Sequence, residues 1–357
     1  MNPARRAPIS PALIAHGGAG GRAPAAERVA RRRGMLAAVA RGAAILRGGG
    51  SALDAVVATI VALEDDPLFN AGYGSLLTTA GRVEMDAAVM SAVRAKGVAF
   101  ASNGARSRTA AEHDAAERMA AGEVRAGGVV LVSRVRNPIL LARAVMEHTP
   151  HLLMGGAGAE RLARLAGIPL CRAESLVSQR ARERWLATRE QSPAAADEAP
   201  PGAGRAPDRH GTVGAVAVDA HGEIAAATST GGYPGKLPGR IGDSALIGAG
   251  LFATTRGAAS ATGAGEAIMR LALCREAVAA VSRLPVQAAA ERAIAEIHVA
   301  TGAQAGVIIV DAFGHFGYAH NAAAMDTALF DSAGGVRHRL PDPIAIGDAA
   351  SGARRGK

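Results

Sequence analysis

Two stretches far apart in the chain repeat one pattern: Val216-Ala217-Val218-Asp219-Ala220-His221-Gly222 and Ile308-Ile309-Val310-Asp311-Ala312-Phe313-Gly314. Each reads as an apolar strand, a tight Asp/Gly turn and a returning strand. Hairpins require antiparallel pairing, which argues against the parallel crossovers of a nucleotide-binding sheet. Around them lie segments of helical periodicity. Arg28 to Leu46 ends at Gly48-Gly49-Gly50. A second begins at Ser51 and Asp54, a pair resembling a capping box, and repeats Leu53, Val56, Val57, Ile60 and Val61 until Pro67 enforces a stop. Two more span about 264–281 and 286–301. Ala12 to Ala15 reads as a strand running into a flexible loop, His16 to Gly21, and Val129–Val135 is a further strand candidate. The pattern is α+β, with packed antiparallel sheets between two helical layers.

The composition excludes several functions. A chain of 357 residues with 49% hydrophobic content can bury a full core. No stretch approaches the roughly 20 apolar residues of a membrane span. The polar start carries no apolar signal core, and Cys171 and Cys274 are too few for a disulfide framework, so a reducing cytoplasm is expected. The net charge of +9 is spread along the chain as arginine, with one tight run at Arg31-Arg32-Arg33 and only 3% aromatics. Nucleic acid is therefore not an expected partner. The histidines form no His-Glu-x-x-His cluster, there is no Gly-x-Ser-x-Gly elbow, and Gly235-Lys236 is followed by Leu237 rather than the Ser or Thr of a P-loop. Gly18-Ala19-Gly20 with Ala23 is a poor dinucleotide fingerprint.

Residues 191–209 are built of Ala, Pro, Gly, Asp and Glu, the composition of a mobile linker. The linker feeds into His210-Gly211-Thr212-Val213-Gly214, where Thr212 opens a strand. Gly211 has no side chain, so the Thr212 hydroxyl can approach the preceding carbonyl and form an ester that water cleaves. The α-amine so freed has an unperturbed pKa of about 7.7–8.0 and can serve as base for its own hydroxyl. The same residues also suit an ordinary β-branched strand start. A polar stretch, 93–124, with a short helix at 110–121, reads as a surface insertion.

Three runs sharpen this choice: Gly211-Thr212-Val213-Gly214, Thr228-Ser229-Thr230-Gly231-Gly232, and Lys236-Leu237-Pro238-Gly239-Arg240-Ile241-Gly242-Asp243-Ser244. With His16-Gly17-Gly18-Ala19-Gly20, Pro67-Leu68-Phe69-Asn70-Ala71-Gly72 and Thr262-Gly263-Ala264-Gly265-Glu266 in the same order, the chain closely resembles the plant-type L-asparaginase/isoaspartyl peptidase family over most of residues 12–320. The resemblance implies an αββα sandwich of the N-terminal-nucleophile type, self-cleaved between Gly211 and Thr212. The products would be an α fragment, 1–211, and a β fragment, 212–357, paired and then dimerised.

By the same resemblance Thr212 is the nucleophile, Thr230 bonds its hydroxyl and Asn70 lies near its amine. Thr262 and Gly263 form the oxyanion hole. Arg240 grips a substrate α-carboxylate, and Asp243 accepts the α-ammonium. Ile241, Gly242, Ala264 and Gly265 complete the substrate pocket for a small amino acid or dipeptide. No cofactor is required. A structural sodium ion is implied on the backbone carbonyls of Leu63, Glu64, Asp66, Phe69, Ala71 and Tyr73.

The chain departs from the family pattern in four places. The stretch 93–124 is long, and this bears on the mouth of the site. Ser91-Ala92 replaces an Asp-Gly. Ala264 stands for a second Thr, and Asn321-Ala322-Ala323-Ala324-Met325 is a loose version of Asn-Thr-x-Gly-Met; these two bear on substrate preference or activity. Two rival readings follow. One is a glycosylasparaginase, a group that tends to carry Asp where Gly211 stands. The other is an inactive binding protein that kept the fold.

Overall fold

The computed structural model describes residues 9–94, 122–191 and 211–344. Twelve strands are described: β1 (Ala12–Gly20), β2 (Met85–Val93), β3 (Glu123–Val132), β4 (Leu153–Gly155), β5 (Val213–Val218), β6 (Ile224–Thr230), β7 (Leu251–Thr254), β8 (Gly257–Gly263), β9 (Ala305–Asp311), β10 (Phe316–His320), β11 (Ala324–Asp331) and β12 (Gly335–Arg339). Eight form one sheet in the order β12-β11-β1-β5-β6-β2-β3-β4, and four form another in the order β10-β9-β8-β7. The helices are α1 (Ala25–Arg47), α2 (Ala52–Glu64), α3 (Pro138–His148), α4 (Gly156–Leu165), α5 (Gln179–Gln191), α6 (Gly265–Leu271), α7 (Leu273–Ala280) and α8 (Val286–Thr301). None of these is long and apolar enough to cross a membrane.

Strand alternation divides the buried residues among three cores. Val213, Ala215 and Ala217 of β5 turn towards α1, α2 and α3, joining Val39, Val56 and Ile139. Val216 and Val218 of the same strand turn the other way and meet Ile308 and Val310 between the sheets. On the far face of the smaller sheet, Val307 and Ile309 pack on Val278, Ile294 and Ile297 of α7 and α8. Both hairpins form where the repeated pattern places them, β5 with β6 and β9 with β10, and both are antiparallel. Ser51 caps α2 by accepting from Asp54 N at 3.0 Å, and its hydroxyl donates to Asp54 Oδ2 at 2.8 Å.

Several expectations are corrected. The expected loop at His16 to Gly21 is largely strand: β1 continues to Gly20, with a bulge between His16 and Ala19 absorbing the two glycines. The helix expected over 264–281 is two helices, because Ala272 adopts the left-handed conformation at φ 47°. The strand expected at Val129–Val135 begins earlier, at Glu123, and ends at Val132, while Val135 makes only an isolated bridge to Leu170. Pairing is not wholly antiparallel, since β3 and β4 run parallel. Of the linker expected at 191–209, Gln191 is the last residue of α5 and the rest lies outside the described residues, as do the helix expected at 110–121 and the C-terminal part of the β fragment.

Of the stretch 93–124, both anchors are described, while 95–121 and its expected bearing on the mouth of the site lie outside the described residues. Val93 pairs with Glu123, whereas Asp86, at the other end of β2, pairs with Thr230. Ser91 and Ala92 lie towards the same distant end, opposite Ala225 and Ile224.

Candidate active site

Thr212, at the head of β5, and Thr230, at the tail of β6, share one end of the central sheet because the pairing is antiparallel: Val213 faces Ser229. Thr212 is buried, and its hydroxyl donates to Thr230 Oγ1 at 3.2 Å. Gly232 N donates to the same Thr230 oxygen at 3.0 Å, and Ser244 Oγ lies 3.5 Å from Thr212 Oγ1. The nucleophile candidate therefore sits in a chain of hydroxyls with a backbone donor at its end.

His16 holds Thr212 from behind. Its Nδ1 is 3.1 Å from the Thr212 carbonyl and its Nε2 is 2.9 Å from Ser260 Oγ. A carbonyl only accepts, so Nδ1 carries the proton and Nε2 accepts from Ser260. Burial pushes His16 down to about 3, which keeps the ring neutral. The β1 bulge brings Gly18, at φ 104°, so close to Gly211 that a Cβ there would lie 2.6 Å from the Gly211 Cα. Only glycine permits this approach.

Asn70 packs on Gly211, whose peptide bond carries the Thr212 nitrogen. A Cβ on Gly211 would lie 2.9 Å from the Asn70 Cβ. The Asn70 amide donates to Gly232 O at 2.5 Å, and its Oδ1 accepts from Leu76 N at 2.9 Å. Asn70 thus braces the turn that follows Thr230.

The charged pair is assembled on the other side. The Arg240 guanidinium bonds Glu266 Oε1 through Nε at 3.1 Å and Nη2 at 2.9 Å, and lies 4.6 Å over the Tyr233 ring. Asp243 is 4% exposed, with Oδ2 buried and unpartnered. Burial pushes this carboxyl up to about 7, against the opposing pull of Arg240. A Cβ on Gly265 would lie 2.6 Å from Asp243 Oδ1 and 2.8 Å from Arg240 Nη2. The cation and the anion therefore flank one point of the chain, beside a buried carboxylate oxygen with no partner among the described residues.

Thr262 is the penultimate residue of β8, and Ala19 N donates to its Oγ1 at 3.1 Å. That bond uses one lone pair and leaves the hydroxyl its proton to donate. Gly263, Ala264 and Gly265 lead from β8 into α6, and the Ala264 N–H is already committed to Gln304 O at 2.9 Å. Gly242 is bonded to Asp86, while the Ile241 side chain is exposed. Near the chain's end, Asn321 is tied to Ala305 N and Ala303 O. Ala323, Ala324 and Met325 line a cavity of about 560 Å³ that Gly18, Arg31, Asn70 and Gly211 also border.

Sequence reasoning missed His16, Ser260, Glu266 and Tyr233. His16 and Glu266 stood inside quoted motifs, without a role, and Tyr233 beside one; Ser260 is recognisable only by its contact with His16 across 244 residues.

The class that these features define is a mixed α/β protein with a buried threonine, bonded to Thr230 and close to Ser244, on a sheet end that also meets the loop of Arg240 and Asp243. The asparaginase family profile matches residues 9–103 and 95–337, breaking in two inside the stretch 93–124. The chain is 36% identical over 322 residues to the isoaspartyl peptidase/L-asparaginase of Mus musculus, covering 90% of this chain and 88% of that one. It is 39% identical over 268 residues to the Homo sapiens protein of the same name, 75% of each. Against the isoaspartyl peptidase of Escherichia coli (strain K12) it is 36% identical over 327 residues, 88% of this chain and 91% of that one. The chain belongs to the asparaginase family.

Proposed function

We propose that this chain is an autoproteolytically activated amidohydrolase that cleaves L-asparagine and N-terminal β-aspartyl dipeptides through an acyl-Thr212 intermediate. The observation that carries the reading is the Thr212 hydroxyl, bonded to Thr230 at 3.2 Å on the same sheet end as the Arg240–Asp243 clamp. In maturation, Thr212 Oγ attacks the Gly211 carbonyl, the Gly211–Thr212 C–N bond breaks, and water hydrolyses the resulting ester. The freed α-amine then accepts the hydroxyl proton as Oγ attacks the substrate's β-carbonyl. Thr262 and Gly263 face the developing oxyanion. The protonated amine returns its proton to the leaving nitrogen, and water releases aspartate from the ester. Arg240 and Asp243 hold the α-carboxylate and α-ammonium throughout, with the 241–242 and 264–265 backbone as walls.

The three cores, one between the sheets and one under each set of helices, support a four-layer αββα sandwich. In the same reading the fragments 1–211 and 212–357 stay joined because β1 pairs with both β5 and β11. Two such pairs associate as a dimer. The unpaired Cys171 and Cys274 fit a cytoplasmic setting. The loop after α2 fits a sodium ion held by the carbonyls of Leu63, Glu64, Asp66, Phe69, Ala71 and Tyr73. A methyl group at Gly72 would collide with the Glu64 carbonyl, and the last turn of α2 carries no basic residue. The Glu64 carboxyl is turned away to Ile139 N at 3.0 Å, and the Asp66, Phe69 and Ala71 carbonyls, which accept from Phe69 N, Ala71 N and Gly74 N, each keep a second lone pair for the ion. Bound there, sodium would brace the loop that carries Asn70.

Electrophoresis of the purified protein tests this directly. Two bands are expected, the smaller beginning Thr-Val-Gly, and Thr212→Ala should give one band and no turnover. A single intact chain that hydrolyses β-aspartyl dipeptide would overturn the mechanism. Faster turnover of a glycosylated asparagine would move the assignment to that rival.

A further inference from the structure

The clamp does not hold itself in place. Asp86 opens the paired part of β2 directly across the ladder from Thr230, and it is 1% exposed. The β2–β3 register shifts beside it, between Met85 and Ala87, and on the bulged strand Leu131 takes φ 56°. A branched side chain disfavours that conformation, so something must retain it. Leu131 N donates to Asp86 Oδ1 at 3.0 Å. The other carboxylate oxygen accepts from Gly242 N at 3.1 Å, and Gly242 lies between Arg240 and Asp243.

Two further ties hang the same loop on the same segment. Gly239 N donates to Glu84 Oε2 at 2.9 Å, and the fully buried Lys236 donates through Nζ to the Glu84 carbonyl at 2.6 Å. The Lys236 Cδ packs against Gly232, whose N–H bonds Thr230. The charges of Lys236 and Arg240 both act on Asp86. Glu84–Asp86 thus touches the hydroxyl end of the site and the headgroup end at once.

We propose that Asp86, backed by Lys236, is a positioning residue of the clamp: its carboxylate places Gly242 and thereby sets the spacing between Arg240 and Asp243. This rests on the hydrolase reading above. Asp86 touches no reacting atom, and its effect is on the headgroup.

Asp86→Asn is the test, because an amide offers a donor where the carboxylate offered a second acceptor, leaving Leu131 N or Gly242 N facing another N–H. Autocleavage should still reach two bands. The KM for L-asparagine and for a β-aspartyl dipeptide should rise at least tenfold, with kcat within threefold of wild type. The Kd for L-aspartate, measured by calorimetry, should rise by the same factor. Should Asp86→Asn fail to fold, Asp86→Asn/Leu131→Gly relieves the bulge and is measured in the same way. A KM and an aspartate Kd at the wild-type level in a folded variant would overturn the inference while leaving the hydrolase reading intact, as would a fall in kcat alone. A wild-type protein that neither binds aspartate nor turns over substrate would remove both.

Discussion

The hairpins β5–β6 and β9–β10 close with the same bonds. Asp219 Oδ1 accepts from His221 N at 2.8 Å and Glu223 N at 3.1 Å; Asp311 Oδ1 accepts from Phe313 N at 2.8 Å and His315 N at 2.9 Å. Gly222 and Gly314 take φ 85° and 92°. The second carboxylate oxygens then diverge. Asp219 Oδ2 reaches Ala52 N, at the start of α2, at 3.0 Å, whereas Asp311 Oδ2 meets the largely exposed His315 at 2.7 Å. One hairpin lies in the middle of the larger sheet, the other at the edge of the smaller one. At their open ends one carries Thr212 and Thr230, and the other pairs Gly306 with His320, whose ring faces the Ala322 and Pro341 carbonyls. The turn chemistry is local and transferable; a hairpin's station in the fold decides what its open end meets.

The largest effect that should separate the two hairpins lies opposite Thr212. Asp243→Asn should lower kcat/KM for β-aspartyl substrates by about 10- to 100-fold, the range of a charge-assisted contact. The same residue should shape the pH profile. Below about 7 the Asp243 carboxyl is protonated and has no charge to pair with an ammonium, so kcat/KM rises with pH up to that value. Asp243→Asn should erase that limb and leave the one belonging to the Thr212 amine; an unchanged profile would dissociate Asp243 from the headgroup.

Acid stability should come next. His16 falls from 6.5 to about 3 on folding, so the unfolded chain binds the proton more tightly. The stability it contributes is complete above pH 6.5 and is lost as pH falls towards 3, by up to ~1.4 kcal/mol per pH unit. Urea titrations at pH 7 and pH 4.5 should show this slope, and His16→Gln should flatten it. Asp219→Ala should then destabilise by about 2–3 kcal/mol and Asp311→Ala by about 1 kcal/mol, since only the first also strips a partner from a buried helix start. Equal losses in thermal unfolding would mean that the contact to α2 contributes nothing. The smallest effect is expected from joining Arg94 to Gly122 without residues 95–121. The anchors lie at the far end of β2, so KM should stay within about twofold of wild type.

What was legible in the residues was whatever depends on neighbours within a few positions. Asp and Gly at fixed offsets closed both hairpins, Ser51 and Asp54 opened α2, and Arg240 and Asp243 stand three apart on one short loop. Packing settled the rest. The β1 bulge lies in a run of Ala and Gly, the break at Ala272 in a run of strong helix formers, and β4 in a segment of three residues; none carries a local signal for what it does, and tertiary contact chooses. Asp86 and Gly242 are 156 residues apart, and His16 and Thr212 are 196 apart. A buried carboxylate or imidazole must find its partner wherever the sheets bring one, because leaving it unpaired is far more costly than any local propensity.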